Sequence, residues 1–116
     1  MFALQEVIIE SHDDLDIWSA VTVGFDDEKN LVVLLEYIDY DDRHNDNHNT
    51  SAIIDKEEAV VLSRRLGVSV TALPKIIFDR YGDTTDLSGP SYVEEVFKEI
   101  LDLLNDNLVR YRIKRD

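Results

Sequence analysis

The chain contains no cysteine, which excludes disulfides, thiol nucleophiles and Cys-based metal centres. Its four glycines, Gly24, Gly67, Gly82 and Gly89, are scattered, so no glycine-rich loop is present to cradle a phosphate. No apolar run approaches the roughly 18–20 residues that a membrane-spanning helix needs. The first residues, Met1 to Asp14, lack a basic leading segment and carry Glu6 inside their apolar stretch, which argues against a signal peptide and for the cytoplasm. Only three histidines occur, His12, His44 and His48, all in polar stretches. No serine lies in a G-x-S-x-G elbow. No motif for nucleophilic or acid–base catalysis is therefore present, and the expectation is a protein that is not an enzyme and holds no cofactor.

Cations are scarce as well. There are 12 Lys and Arg against 25 Asp and Glu, a net charge of −13 over 116 residues. The imbalance is uneven. Residues 1–55 hold 14 carboxylates against Lys29 and Arg43, a net of −12, whereas residues 56–116 are nearly balanced at −1. Such a field repels nucleic acid and anionic membrane and favours a basic protein partner. The same charge also serves solubility alone in many proteins. The acids expected to meet a partner are Asp13, Asp14 and Asp16 in one turn and Asp39, Asp41, Asp42 and Asp46 in the polar loop expected over 39–49.

What the chain does hold is apolar patterning for one domain, residues 1–116, with 44% hydrophobic residues. Met1 to Glu10 reads as a strand on its β-branched content. Ile17 to Phe25 places Val21, Val23 and Phe25 on one face and Trp18, Ala20 and Thr22 on the other. A five-residue polar turn, Asp26 to Asn30, joins it to Leu31 to Ile38, and so short a connection predicts a hairpin. The run Leu31 to Leu35 is continuous, as in a strand covered on both faces or backed by helices. Thr50 to Ile54 reads as a fourth, short strand.

The stretch Ala59 to Ile77 has the spacing of helix, glycine corner and helix. Asp55 and Glu58 form an acidic version of the capping box that starts the first helix. Its core stripe is Ala59, Leu62 and Leu66, widened by Val60 and Val61, and Gly67 supplies the left-handed position that ends it, with Val68 packing back. The second helix carries Leu73, Ile76, Ile77 and Tyr81, begins between Thr71 and Leu73 so that Pro74 falls in its first turn, and stops at Gly82. Ser91 to Glu94 is a capping box for a third helix with apolar Val93, Val96, Phe97, Ile100, Leu101, Leu104 and Leu108, stopped by Asn105 to Asn107. The end of the chain alternates, with Val109, Tyr111 and Ile113 inward and Arg110, Arg112 and Lys114 outward, as in a last strand. The order β-β-β-(β)-α-α-α-β predicts an α+β fold, an antiparallel sheet with helices on one face.

Three local patterns carry alternative chemistry. Ala59 to Ile77 fits a helix-turn-helix, with Ser63 where the helices touch, and it resembles bacterial regulators that carry an LGVS turn. Its second helix nevertheless offers only Ser69, Val70, Thr71, Ala72 and Lys75 for reading DNA, and a reader needs several cationic phosphate contacts. The segment 39–49 is rich in Asp, Asn and His, but in EF-hand register from Asp46 it places Ser51 where glycine is required. His44 and His48 lack the glutamate of a zincin helix, so no specific metal site is assigned. Trp18, Phe25, Tyr37 and Tyr40 are a candidate aromatic contact patch, although Trp18 and Phe25 suit a core equally.

The runs NLVVLLEYIDYD, NTSAIIDKEEAVVLSRRLG and VFKEILDLLNDNLVRYRI together resemble a group of small bacterial α+β domains. In these a hairpin, a strand feeding a helix, a leucine-rich helix pair and a final strand follow in that order. Some members of the group accompany secreted toxins as immunity proteins. The resemblance implies a partner-masking role and assigns no functional residue. A homodimer through an edge strand or helix is a further expectation for any exposed sheet edge.

Overall fold

A computed structural model of the chain describes residues 3–10, 17–39, 48–82 and 90–115. Five strands, β1 (Ala3–Glu10), β2 (Ile17–Phe25), β3 (Leu31–Asp39), β4 (His48–Ile54) and β5 (Arg112–Arg115), form one antiparallel sheet in the order β1-β2-β3-β4-β5. Between β4 and β5 come helices α1 (Lys56–Leu66), α2 (Leu73–Tyr81) and α3 (Pro90–Asp106), with a 3₁₀ turn over Val70–Ala72 ahead of α2. The fold is α+β with the helices packed on one face of the sheet, in the element order the sequence predicts.

The pleat decides which side chains meet the helices, because directly opposed residues share a face. Val21 faces Leu35, Val23 faces Val33 and Phe25 faces Leu31, and the row continues onto β4 through Ala52 and Ile54. These residues, with Ile8, close over Ala59 and Leu62 of α1, Leu73 and Ile77 of α2, and Val93, Val96, Ile100 and Leu104 of α3. The opposite face carries Ala20 and Thr22 on β2 and Val32 and Leu34 on β3. α2 lies mainly against β1 and α3 mainly against β2.

The helix ends follow the expected chemistry with three corrections. Gly67 at φ 71° closes α1: its N–H donates to the Arg64 carbonyl and the Val68 N–H to the Ser63 carbonyl, the paired bonds of a Schellman turn. Asp55 stands at the N-cap position but makes no capping hydrogen bond with its side chain. Its Oδ1 instead accepts from Arg112 at 3.2 Å, and the Lys56 N–H donates to Asn30 Oδ1 at 3.2 Å. The cap of α1 is thus supplied by the hairpin turn. Second, α3 already includes Pro90 and Ser91, so Ser91 lies within the helix and is not its N-cap. Third, Val60 and Val61 do not widen the α1 stripe: both are exposed, and Ser63 is buried in their stead, donating to the Val60 carbonyl at 2.7 Å.

The C-terminal segment also departs from its pattern. Leu108 is not part of the α3 stripe. It adopts φ 58° and is 74% exposed, while its N–H donates to the Asn105 carbonyl and that of Val109 to the Leu104 carbonyl, so that a leucine takes the place glycine usually fills. Leu103, absent from the predicted stripe, is buried. Val109 is buried and Tyr111 half-buried against the core, as alternation predicts, but Ile113 is 44% exposed and all four residues of β5 are exposed. The reason is position. β5 is the outer strand beyond β4, and α3 lies over β2, so little of the helical layer reaches Ile113.

Candidate functional site

The sheet register fixes where the acidic segments leave the scaffold. Glu10, the last residue of β1, is opposite Ala20; Ile17, the first of β2, is opposite Asp39, the last of β3; and Tyr37 is opposite His48, the first of β4. The β1–β2 and β3–β4 connections therefore depart from the same end of the sheet. Asp13, Asp14 and Asp16 belong to the first connection and Asp41, Asp42 and Asp46 to the second; these six lie outside the described residues, as do His12, His44 and Tyr40. Asp39 is the one candidate acid whose backbone is placed, at the end of β3.

Two more acidic residues belong to the strands at this end. Glu10 and Glu36 both stand opposite Ala20, one on each neighbouring strand, and Glu36 is half-buried opposite Asn49. Their alignment follows from strand register. The strand pattern of β2 and β3 contained half of that signal, since Ala20 and Glu36 sit at matching distances from the Asp26–Asn30 turn.

The other end of the sheet is built differently. In the β2–β3 turn, Asp26 Oδ1 accepts from the N–H groups of Glu28 and Asn30, both at 2.9 Å, and Asp26 Oδ2 accepts from Asn30 Nδ2 at 3.4 Å. Asn30 is thereby held so that its Oδ1 reaches the first N–H of α1. The carboxylate of Asp26 is consumed by the turn, and the turn in turn positions the helix. Beside it an open groove of about 410 Å³ is lined by Leu4, Phe25, Val60 and Val70, with Lys29 and Lys56 at its border.

The helix pair around Gly67 has the connectivity of a helix-turn-helix, with Ser63 buried as that reading requires. The residues that a reader would present nevertheless form a 3₁₀ turn, Val70–Ala72, and α2 opens with buried Leu73 and Pro74. Ser69, Thr71 and Lys75 are exposed, and Ser69 Oγ lies 3.5 Å from Thr71 Oγ1 rather than capping the helix. α2 spends its apolar face on β1, and the surface that remains carries Asp79 beside Lys75 and Arg80.

Among the described residues no three His, Asp or Glu side chains gather as a metal ion requires, and no helix is long and apolar enough to cross a membrane. Among the described residues one titratable group, Tyr81, is displaced from its ordinary range. Partial burial raises the Tyr81 phenol; Arg80 opposes this, while Glu99, Asp102 and Asp106 on α3 reinforce it. Tyr81 Oη donates to the Glu99 carbonyl at 3.5 Å, a long contact that ties α2 to α3. Compared with family models, with curated proteins and with solved structures, the chain matches none.

Proposed function

We propose that this protein is a small, non-enzymatic, cytoplasmic binding domain that uses the acidic end of its sheet to engage a basic protein, in the manner of an immunity protein masking a toxin. The observation that carries the reading is the register. The strand ends that flank both acid-rich connections lie at one end of the sheet, which supports reading the seven candidate aspartates as one site. A cluster of this kind raises the local concentration of a cationic partner and accelerates encounter, and the advantage shrinks as salt screens it.

The test is affinity capture of partners from the source cell, followed by binding kinetics at rising salt. The reading expects basic partners whose association slows as salt rises. It also expects that converting Asp13, Asp14, Asp16, Asp39, Asp41, Asp42 and Asp46 to Asn slows association while leaving the fold intact. Partners that are neither basic nor salt-sensitive contradict it. Gel-shift titration at low salt addresses the helix-turn-helix alternative, since phosphate contacts are strongest there.

A further inference from the structure

The sheet has two outer strands, and they are not equivalent. β1 is interrupted by two register shifts, between Ala3 and Glu6 and between Val7 and Ile9, and Leu4 adopts a left-handed φ of 54°. Bulges of this kind twist an edge away from pairing, a common protection of free strands. β5 has neither bulge nor left-handed residue; its protection against non-specific pairing is its four-residue length and its charge, which leaves it selective for an acidic strand. It pairs with β4 in unbroken register, Ile53 with Arg112 through Thr50 with Arg115, and its backbone adopts no left-handed angle. Its outward ladder is therefore regular.

β5 and the two residues before it are also the most concentrated positive stretch of an acidic chain. Arg110, Arg112, Lys114 and Arg115 fall within six residues, and all four are exposed. Register separates the β5 side chains by face. Arg112 and Lys114 share the face opposite the helices, because they stand against Ile53 and Ser51, whereas Ile113 and Arg115 share the helix face with Ala52 and Thr50. Ile113 is 44% exposed there and borders an open groove of about 380 Å³ lined by Leu35, Phe97 and Leu101, with Glu94, Lys98 and Arg115 of mixed charge around them.

From this geometry we propose that β5 is a docking edge for an extended acidic segment of another protein, which adds to the sheet as a sixth strand. Main-chain hydrogen bonds to the outer edge of β5, which pairs with no other strand among the described residues, supply the attachment, and alternate side chains supply selectivity. A residue paired with Ile113 points toward the groove and is apolar. Its two neighbours are drawn to Lys114 and to Arg112, whose guanidinium also bonds Asp55, on the other face and are acidic. The recognised pattern is acid–apolar–acid, which reads the same in either strand direction. A second copy of this chain is a poor occupant: two β5 edges bring like charges opposite each other, and β1 is bulged.

The experiment is an NMR titration of isotope-labelled protein with an end-capped Glu-Val-Glu-Val-Glu peptide. The same titration is run with Lys-Val-Lys-Val-Lys and with a Glu peptide whose alternate amides are N-methylated. The proposal expects the Glu peptide to shift and protect the amides of residues 112–115, and to bind at least about tenfold more tightly than the Lys peptide. It expects N-methylation to remove binding, and about 1 M salt to weaken it strongly. Lys114→Glu should abolish binding. Ile113→Thr, which keeps strand preference, should weaken it without altering the salt dependence. Equal affinity for both charged peptides, indifference to N-methylation, shifts centred elsewhere, or no binding at millimolar peptide would each overturn the proposal.

Discussion

The acidic end and the basic edge of this sheet carry opposite charge, and they hold it by opposite means. At the acidic end Asp39 closes β3 opposite Ile17, and the other six candidate aspartates belong to the sequence segments 11–16 and 40–47 that join β1 to β2 and β3 to β4. At β5 the cations alternate along a regular strand whose pairing with β4 fixes which face each one takes. A surface of the first kind recognises sign and charge density and acts chiefly on encounter rate. One of the second kind adds backbone hydrogen bonds at fixed spacing and so selects an extended segment. The two proposed surfaces share no residue.

The largest expected effect comes from breaking the acidic end. Replacing its seven aspartates by Asn should slow association with a basic partner by about tenfold to a thousandfold at low salt, measured by stopped-flow, while Glu-peptide shifts at residues 112–115 stay unchanged. Next comes the joint between hairpin and helix layer. Asn30→Ala removes the acceptor for the Lys56 N–H and the donor to Asp26, and should cost about 1–3 kcal/mol in urea unfolding. Both surfaces should weaken only as the fold does, which separates scaffold damage from loss of either surface.

Leu108→Gly acts in the opposite direction. Leucine at φ 58° is strained, and its 74% exposed side chain contributes little packing, so glycine should stabilise the protein by about 0.5–1 kcal/mol. Because that turn precedes β5, exchange protection of the β5 amides should rise in parallel. A smaller effect is expected from pH. The Tyr81 phenol is raised in the folded state, so above about pH 10 the unfolded chain releases this proton first. Stability should fall as pH rises from there through the folded pKa, and Tyr81→Phe should flatten that part of the denaturation profile. Smallest of all is Arg112→Gln. Its ion pair with Asp55 is 67% and 56% exposed on the two sides, so stability should change by less than about 0.5 kcal/mol, while affinity for the acidic peptide drops measurably.

How much of this was legible in the residues depends on the range of the interaction. The β2–β3 hairpin, the Gly67 corner and the segregation of strands from helices are local signals, written in alternation, turn chemistry and 3.6-residue spacing, and they appear in the structure as predicted. Non-local choices were not readable. The side chain of Asp55 is diverted from capping by Arg112, 57 residues away, and the vacancy is filled by Asn30 from the hairpin turn. Alternation in the final strand was visible, but Ile113 could be placed inward only by assuming a helix above it, and strand order puts it at the rim. The acidic end was legible as composition; its convergence required the register of three strand pairs. The contrast between a bulged β1 and a regular β5 has no sequence signature beyond the charges themselves.

The central claim is that the two charged surfaces act separately, each on a ligand of the opposite sign. A single competition titration tests it: labelled protein is given a lysine-rich peptide, then the Glu-Val-Glu-Val-Glu peptide, then the reverse order, and amide shifts are followed residue by residue. The lysine-rich peptide is expected to perturb residues 11–16 and 39–47 and the acidic peptide residues 112–115, with neither altering the affinity of the other beyond their mutual attraction in solution. Perturbation of one common region by both peptides, or diffuse shifts without saturation, would contradict it.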